Sequence, residues 1–219
     1  MSHGTSAPPA VETVADLLES LGDIPPERIR MRPPPGTATE DDVIAIHARE
    51  KRLCELVDGV LVEKPTGFDE SRLAVEIGFI LIEFLHRHDL GTVAGEAGMM
   101  RLLAGLVRIP DVSFVRWEHL PEKYGPIPPI APDPAVEVLS ESNTPKEMER
   151  KLHEYFAAGT HLVWHFDPRT RTVTVYTAPD QFTTLDESQT LDGGELLPGL
   201  MIPLQPLFER ASRRRGPSA

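Results

Sequence analysis

Apolar residues recur at three- and four-residue spacing in several stretches, and each such stretch predicts a helix. Val14, Leu17, Leu18 and Leu21 mark a short first one, and Thr39 with the acids after it caps a second over VIAIHAREK. A long third helix is predicted over residues 68–88, with Leu73, Ile77, Ile80, Leu81, Phe84 and Leu85 as its buried face and Gly91 beyond its end. A fourth follows SESNTP, with Met148, Leu152, Tyr155 and Phe156 as its stripe and Gly159 at its stop.

Between these, the pattern turns to strands. LCELVDGVLVEKP reads as two strands around an Asp58-Gly59 turn, a strong hairpin signal. TVAGEAGMMRLLAGLVRIPDVSFVRWEHL reads as three strands, broken at Gly98 and near Gly105, the last over 109–115. AVEVL is apolar at all but one position, as a strand buried on both faces would be. HLVWHFDP, RTVTVYTA, QFTTLD and the segment around Thr190 are further strands, and residues 200–208 form a short closing element.

The order predicts an α/β or α+β domain with a mixed sheet flanked by helices. We expect an N-terminal arm over 1–45, with a disordered start and a linker around the triple proline Pro33–Pro35. The domain itself is expected over 46–210, and a basic flexible tail over 211–219.

Composition narrows the class. In 219 residues there is room for one domain with a core, and no apolar run is long enough to suggest a membrane span. The N-terminus does not read as a secretory signal, and Cys54 is the only cysteine. A cytoplasmic location is the expectation. The net charge of −12 argues against a nucleic-acid coat protein, which needs a basic surface. An enzyme that needs only local positive potential is still allowed.

Glu137 is the sharpest chemical feature. It sits mid-run in AVEVL, where a carboxylate is costly unless paired, hydrogen-bonded or metal-bound. A structural pairing with an arginine and a functional role are both open. Asp111 alone reads as a turn residue at a strand edge. Taken with Glu137, and with Lys151 on the next helix, it completes a set that suits metal-assisted phosphodiester hydrolysis. The two carboxylates offer hard oxygens to Mg²⁺, and the lysine can orient or help deprotonate water and offset phosphate charge. Lys146 and Arg150 are rival cations on that helix. Glu55 and Glu96 are further acids for which surface or hairpin pairing is the simpler reading. His161, His165, His86 and His88 form no ligand set, and no Gly-rich phosphate loop is present.

The motif order resembles the Uma-two family of restriction endonuclease-like proteins, within the PD-(D/E)XK nuclease superfamily. The matching pieces are CELVDGVLVEKP, the long helix after it, RIPDVSFV, AVEVLSESN, KLHEYFAAGTHLVWHFDP, VTVY and LLPGLMIPLQPLF, over roughly residues 50–209. The resemblance implies a restriction endonuclease-like mixed sheet and a metal site. It matches Asp111 to the aspartate of the PD motif and Glu137 to the following acid. The usual lysine position, two residues later, is Leu139, and the resemblance points to Lys151 instead. Glu55 and Glu96 match acidic positions common in the family. Glu70 stands where many members carry a histidine.

Two functions are therefore expected in competition. One is a Mg²⁺- or Mn²⁺-dependent DNA endonuclease with Asp111, Glu137 and Lys151 at its centre, Glu55, Glu70 and Glu96 as additional acids, and Arg72, Arg101 and Arg108 on phosphates. The other is an inactive relative that keeps the fold as a binding module. A homodimer is expected with either.

Overall fold

A computed structural model describes residues 11–65 and 67–214. The disordered start expected over 1–12 and the end of the basic tail lie largely outside them. In chain order the elements begin with α1 (Val14–Ser20), a 3-10 turn (Pro26–Arg28), β1 (Ile29–Arg30) and α2 (Glu40–Glu50). The hairpin β2 (Cys54–Val57) and β3 (Val60–Glu63) leads into α3 (Phe68–Leu85). Then come β4 (Gly91–Gly95), β5 (Met100–Leu103), β6 (Leu106–Arg108), β7 (Val112–Arg116) and β8 (Pro134–Val138). The helix α4 (Pro145–Ala157) precedes β9 (Leu162–Asp167), β10 (Thr172–Ala178) and β11 (Gln181–Asp186). β12 (Thr190–Asp192), β13 (Met201–Pro203) and α5 (Leu204–Ser212) close the chain.

The strands form three sheets, in the orders β1-β3-β2-β6-β5, β11-β10-β9-β8-β7-β4 and β12-β13. The six-stranded sheet is mixed: β8 and β9 run parallel, and its other neighbours are antiparallel. This is the mixed α+β architecture expected. The β2–β3 turn is tight because Asp58 (φ 49) and Gly59 (φ 71) both adopt left-handed backbone, which an Asp-Gly pair tolerates.

Three boundaries differ from the pattern. Four strands, not three, lie between residues 91 and 116: the turn at Gly105 (φ 74) was expected, and the added break falls at residues 109–111, where the chain leaves β6 in one sheet and enters β7 in another. The long helix ends at Leu85; three-residue turn bonds from Arg87 to Phe84 and from His88 to Leu85 tighten its last turn. The closing element is a strand plus a helix, β13 and α5, and α5 takes in residues 211 and 212 of the expected tail.

Strand alternation decides what each sheet presents. Val136 and Val138 of β8, with Trp164 and Phe166 of β9, pack against α3 and α5. Ala135 and Val163 face the other way, joining Leu152 and Tyr155 of α4, Leu17 of α1 and Leu21 just after it, and Val57, Val60 and Val62 of the hairpin. Leu56 and Leu61 point to the far side of that hairpin, onto Val43 and Ile46 of α2. The parity that puts Ala135 and Val57 in the middle core also puts Glu137 and Glu55 there.

Candidate active site

Asp111, Glu137, Lys151, Glu96 and Glu70 line one small cleft, together with Lys64, Ser71, Ser140 and Asn143. Its volume is about 20 Å³, room for about one water molecule. A larger cavity of about 250 Å³ lies beyond Glu70, between α3, α5 and the β9–β10 turn. It lacks the two lysines and the Asp111 and Glu137 carboxylates that make the small cleft the candidate site.

The inner end of the cleft is a buried charge network. Glu55 is fully buried on β2 and accepts from Arg108 Nη1 at 2.7 Å and from the Ile109 N–H at 3.1 Å. Lys151 Nζ lies 3.2 Å from Glu55 Oε1 and 3.3 and 3.4 Å from the two Glu137 oxygens. Tyr155 donates its hydroxyl to Glu137 Oε1 at 2.6 Å. Arg108 also pairs with Glu154, with Nε 2.7 Å from Oε2. Lys151 and Tyr155 are four residues apart on α4, so one helix face supplies both donors to Glu137. The helix is anchored by Thr144, which accepts from the Glu147 N–H, and by Glu147, which pairs with Arg28 through both carboxylate oxygens.

These surroundings move the titrations. Burial by itself would raise the Glu55 carboxyl, but Lys151, Arg108 and Lys64 together bring it down to about 2. Burial raises Glu137, and the negative charges of Asp111 and Glu55 add to it against the pull of Lys151. Burial opposes the charge on Lys151, yet Glu137 and Glu55 overcome this and raise its pKa, so it stays an ammonium. His165, opposite Glu137 in the β8–β9 register, is pushed down to about 4 by burial and by Lys151.

The outer end is more open. Asp111 is 15% exposed at its side chain. Its Oδ2 accepts from the Val138 N–H at 2.6 Å, and its own N–H donates to the Val136 carbonyl at 3.0 Å. Its Oδ1 lies 2.9 Å from Lys64 Nζ, a residue the sequence pattern passed over. Glu96 accepts from Ser71 Oγ at 3.3 Å. Glu70 folds back over Gly67 in the first turn of α3, where a Cβ on Gly67 would meet Glu70 Oε2 at 1.9 Å. A carboxylate there complements the free N–H groups of the helix start.

The family model described as "Uma2: Putative restriction endonuclease" matches residues 41–205. The chain belongs to this family. A crystal structure described as a putative nuclease belonging to DUF820, from Anabaena variabilis, superposes with a TM-score of 0.66. The two are 20% identical, over 74% of this chain and 92% of that one, so they share the fold. No curated protein matches.

Within that family fold, the expected site residues separate into two groups. Asp111, Glu137, Lys151, Glu70 and Glu96 meet in the cleft, and Glu55 buttresses it from within. Surface or hairpin pairing does not describe Glu55; Arg108, Lys151 and the Ile109 N–H hold it in the interior. Of the arginines, Arg108 is 3% exposed and lies between Glu55 and Glu154, so it cannot meet a phosphate. Arg72 is next to the cleft residue Ser71 and donates to the Arg210 and Arg213 carbonyls. Arg101 pairs with Glu40 at 3.4 Å, away from the cleft. The rival cations on α4 point elsewhere: Lys146 to Asp23, and Arg150 to Asp58 and Glu154. Tyr155 had been legible only as an apolar stripe residue.

Asp111 and Glu137 fit a hard divalent ion by donor chemistry. Both offer carboxylate oxygens to one cleft, and Mg²⁺ commonly binds through one or two carboxylates with water completing its shell. Among the described residues no group of three or more His, Cys, Asp or Glu side chains is placed to hold a metal ion, so the two carboxylates would need water to complete its shell. Among them, too, no helix is long and apolar enough to cross a membrane.

Proposed function

We propose that the chain is a metal-dependent endonuclease that hydrolyses phosphodiester bonds of DNA at the Asp111–Glu137–Lys151 cleft. The observation that carries this reading is the meeting of the Asp111 and Glu137 carboxylates with the buried Lys151 ammonium in one cleft of a restriction endonuclease family fold. Asp111 and Glu137 would hold Mg²⁺ or Mn²⁺. The ion would supply positive charge to the phosphate and lower the pKa of a bound water.

The chain's own groups do the rest. The raised pKa of Lys151 makes it a fixed positive charge beside the reacting phosphate rather than a base. Glu55 and Tyr155 are positioning residues: one holds Lys151, and the other holds Glu137. Glu70 and Glu96 line the path by which water and ion enter. Arg72 is the remaining candidate for a DNA phosphate at the rim, with Arg101 farther out. The apolar residues Phe68, Val75, Phe79 and Ile82, exposed along α3, support a homodimer.

One observation favours the competing reading, a non-catalytic binding module: both cleft carboxylates are already paired with lysines. The deciding experiment offers supercoiled plasmid, single-stranded DNA and RNA to the protein with Mg²⁺ or Mn²⁺. Asp111→Ala and Lys151→Ala are purified alongside. Plasmid cleavage that both variants lose is the expected result. Cleavage surviving both substitutions contradicts the site, and no cleavage by folded wild type favours the binding module.

A further inference from the structure

We infer that Lys64 is a built-in cation holding the Asp111 end of the cleft, and that a divalent ion enters by exchange with it. The inference rests on the metal reading above and concerns how that same site is controlled.

Lys64 is not a surface lysine leaning on an acid. Its side chain is 3% exposed. Its ammonium is fixed at two points, 2.9 Å from Asp111 Oδ1 and 2.6 Å from the Ile109 carbonyl that it donates to. The backbone holds it as well: Lys64 follows β3, and its N–H donates to the Leu53 carbonyl at 2.9 Å. Strand parity from Val60 and Val62, both in the middle core, directs the side chain to the site.

Asp111 is therefore satisfied on both oxygens, by Lys64 on Oδ1 and by the Val138 N–H on Oδ2. The adjoining space has room for about one water molecule. An ion seated there would stand close to an ammonium in a poorly hydrated cleft, and like charges so placed repel strongly. The ammonium must swing off Asp111 before the ion can take its oxygen. A phosphodiester entering the cleft would receive that ammonium in a charge-assisted hydrogen bond. Metal and phosphodiester binding are then coupled, and by linkage each strengthens the other. The resting site is neutralised and binds metal weakly; the substrate backbone opens it.

The test titrates Mn²⁺ calorimetrically into wild type, Lys64→Met, Lys64→Gln and Asp111→Asn, with melting curves to confirm folding. Both Lys64 variants are expected to bind Mn²⁺ at least about tenfold tighter than wild type. Unchanged affinity in folded Lys64 variants, with binding lost in Asp111→Asn, overturns the exchange and leaves the metal reading standing. No binding by any protein, the Lys64 variants included, overturns both. A second measurement needs no Lys64 substitution. A phosphorothioate oligonucleotide is added to wild type and to Asp111→Asn as the background. Mn²⁺ affinity should rise about tenfold in wild type beyond that background, and an equal change in both proteins overturns the coupling.

Discussion

The two ends of the cleft each hold a carboxylate beside a lysine, but in different surroundings. At the inner end, Lys151 is shared by Glu55 and Glu137, with Arg108, Glu154 and Tyr155 around them, and little of it meets solvent. At the outer end, Lys64 and Asp111 form one pair beside Glu96 and Glu70, and Asp111 keeps some exposure. A buried network tolerates the loss of a member poorly, because the partner left behind is an unpaired charge in a poor solvent. The outer end is a single pair that meets water through Asp111 alone, Lys64 being 3% exposed, so fewer partners are stranded when it is broken. The inner end thus holds the fold and fixes the charges, and the outer end is free to exchange ligands.

Substitutions separate the two ends. Arg108→Met should be the most damaging, costing about 3–5 kcal/mol by leaving Glu55 and Glu154 without their guanidinium. Urea unfolding would show this as a lower midpoint at unchanged slope. A loss under about 1 kcal/mol would mean that the network relaxes around the gap.

Acid should act next, and also on the inner end. His165 is held at about 4 against an ordinary value of 6.5, so the unfolded chain binds its proton first. The stability that neutral His165 contributes is full above 6.5 and lost as pH falls from there toward 4. Its loss costs about 3 kcal/mol over that span. Glu55 follows with the same sign, between its ordinary 4.5 and about 2. His165→Gln should flatten the upper part of the profile and leave the lower part; a profile identical to wild type would show that His165 is not the sensor.

Tyr155→Phe removes one donor to Glu137 and should cost about 1.5 kcal/mol. Because Glu137 then loses a stabilising hydrogen bond, any pH optimum of cleavage should move up; an unmoved optimum would make Tyr155 purely structural. Glu70→Gln, at the outer rim, should change stability by less than about 0.5 kcal/mol. A large loss there would erase the contrast between the two ends.

Much of this was written in the order of residues. The Asp-Gly hairpin, the α3 stripe and the apolar run around Glu137 were legible because each obeys a local rule. So were Asp111, Glu137 and Lys151, as a set of residue types on successive elements. Lys64 was not, although its parity with Val60 and Val62 was available. A lysine after a strand ordinarily reads as solvated, and only the pairing of β2 with β6, which leads into Asp111, brings the two together. Arg108 failed in the opposite direction. Its charge matched a phosphate contact, but β6 turns it into the interior, where two glutamates claim it.

The most direct test is plasmid cleavage by Asp111→Asn, measured together with its melting temperature. The substitution keeps the shape and removes the charge at the open end only. The account predicts cleavage reduced by at least about a hundredfold, with a smaller loss of melting temperature than Arg108→Met gives, because the Asn keeps an oxygen for Lys64. Cleavage at the wild-type rate would contradict it, as would a collapse of folding that matches the loss of activity.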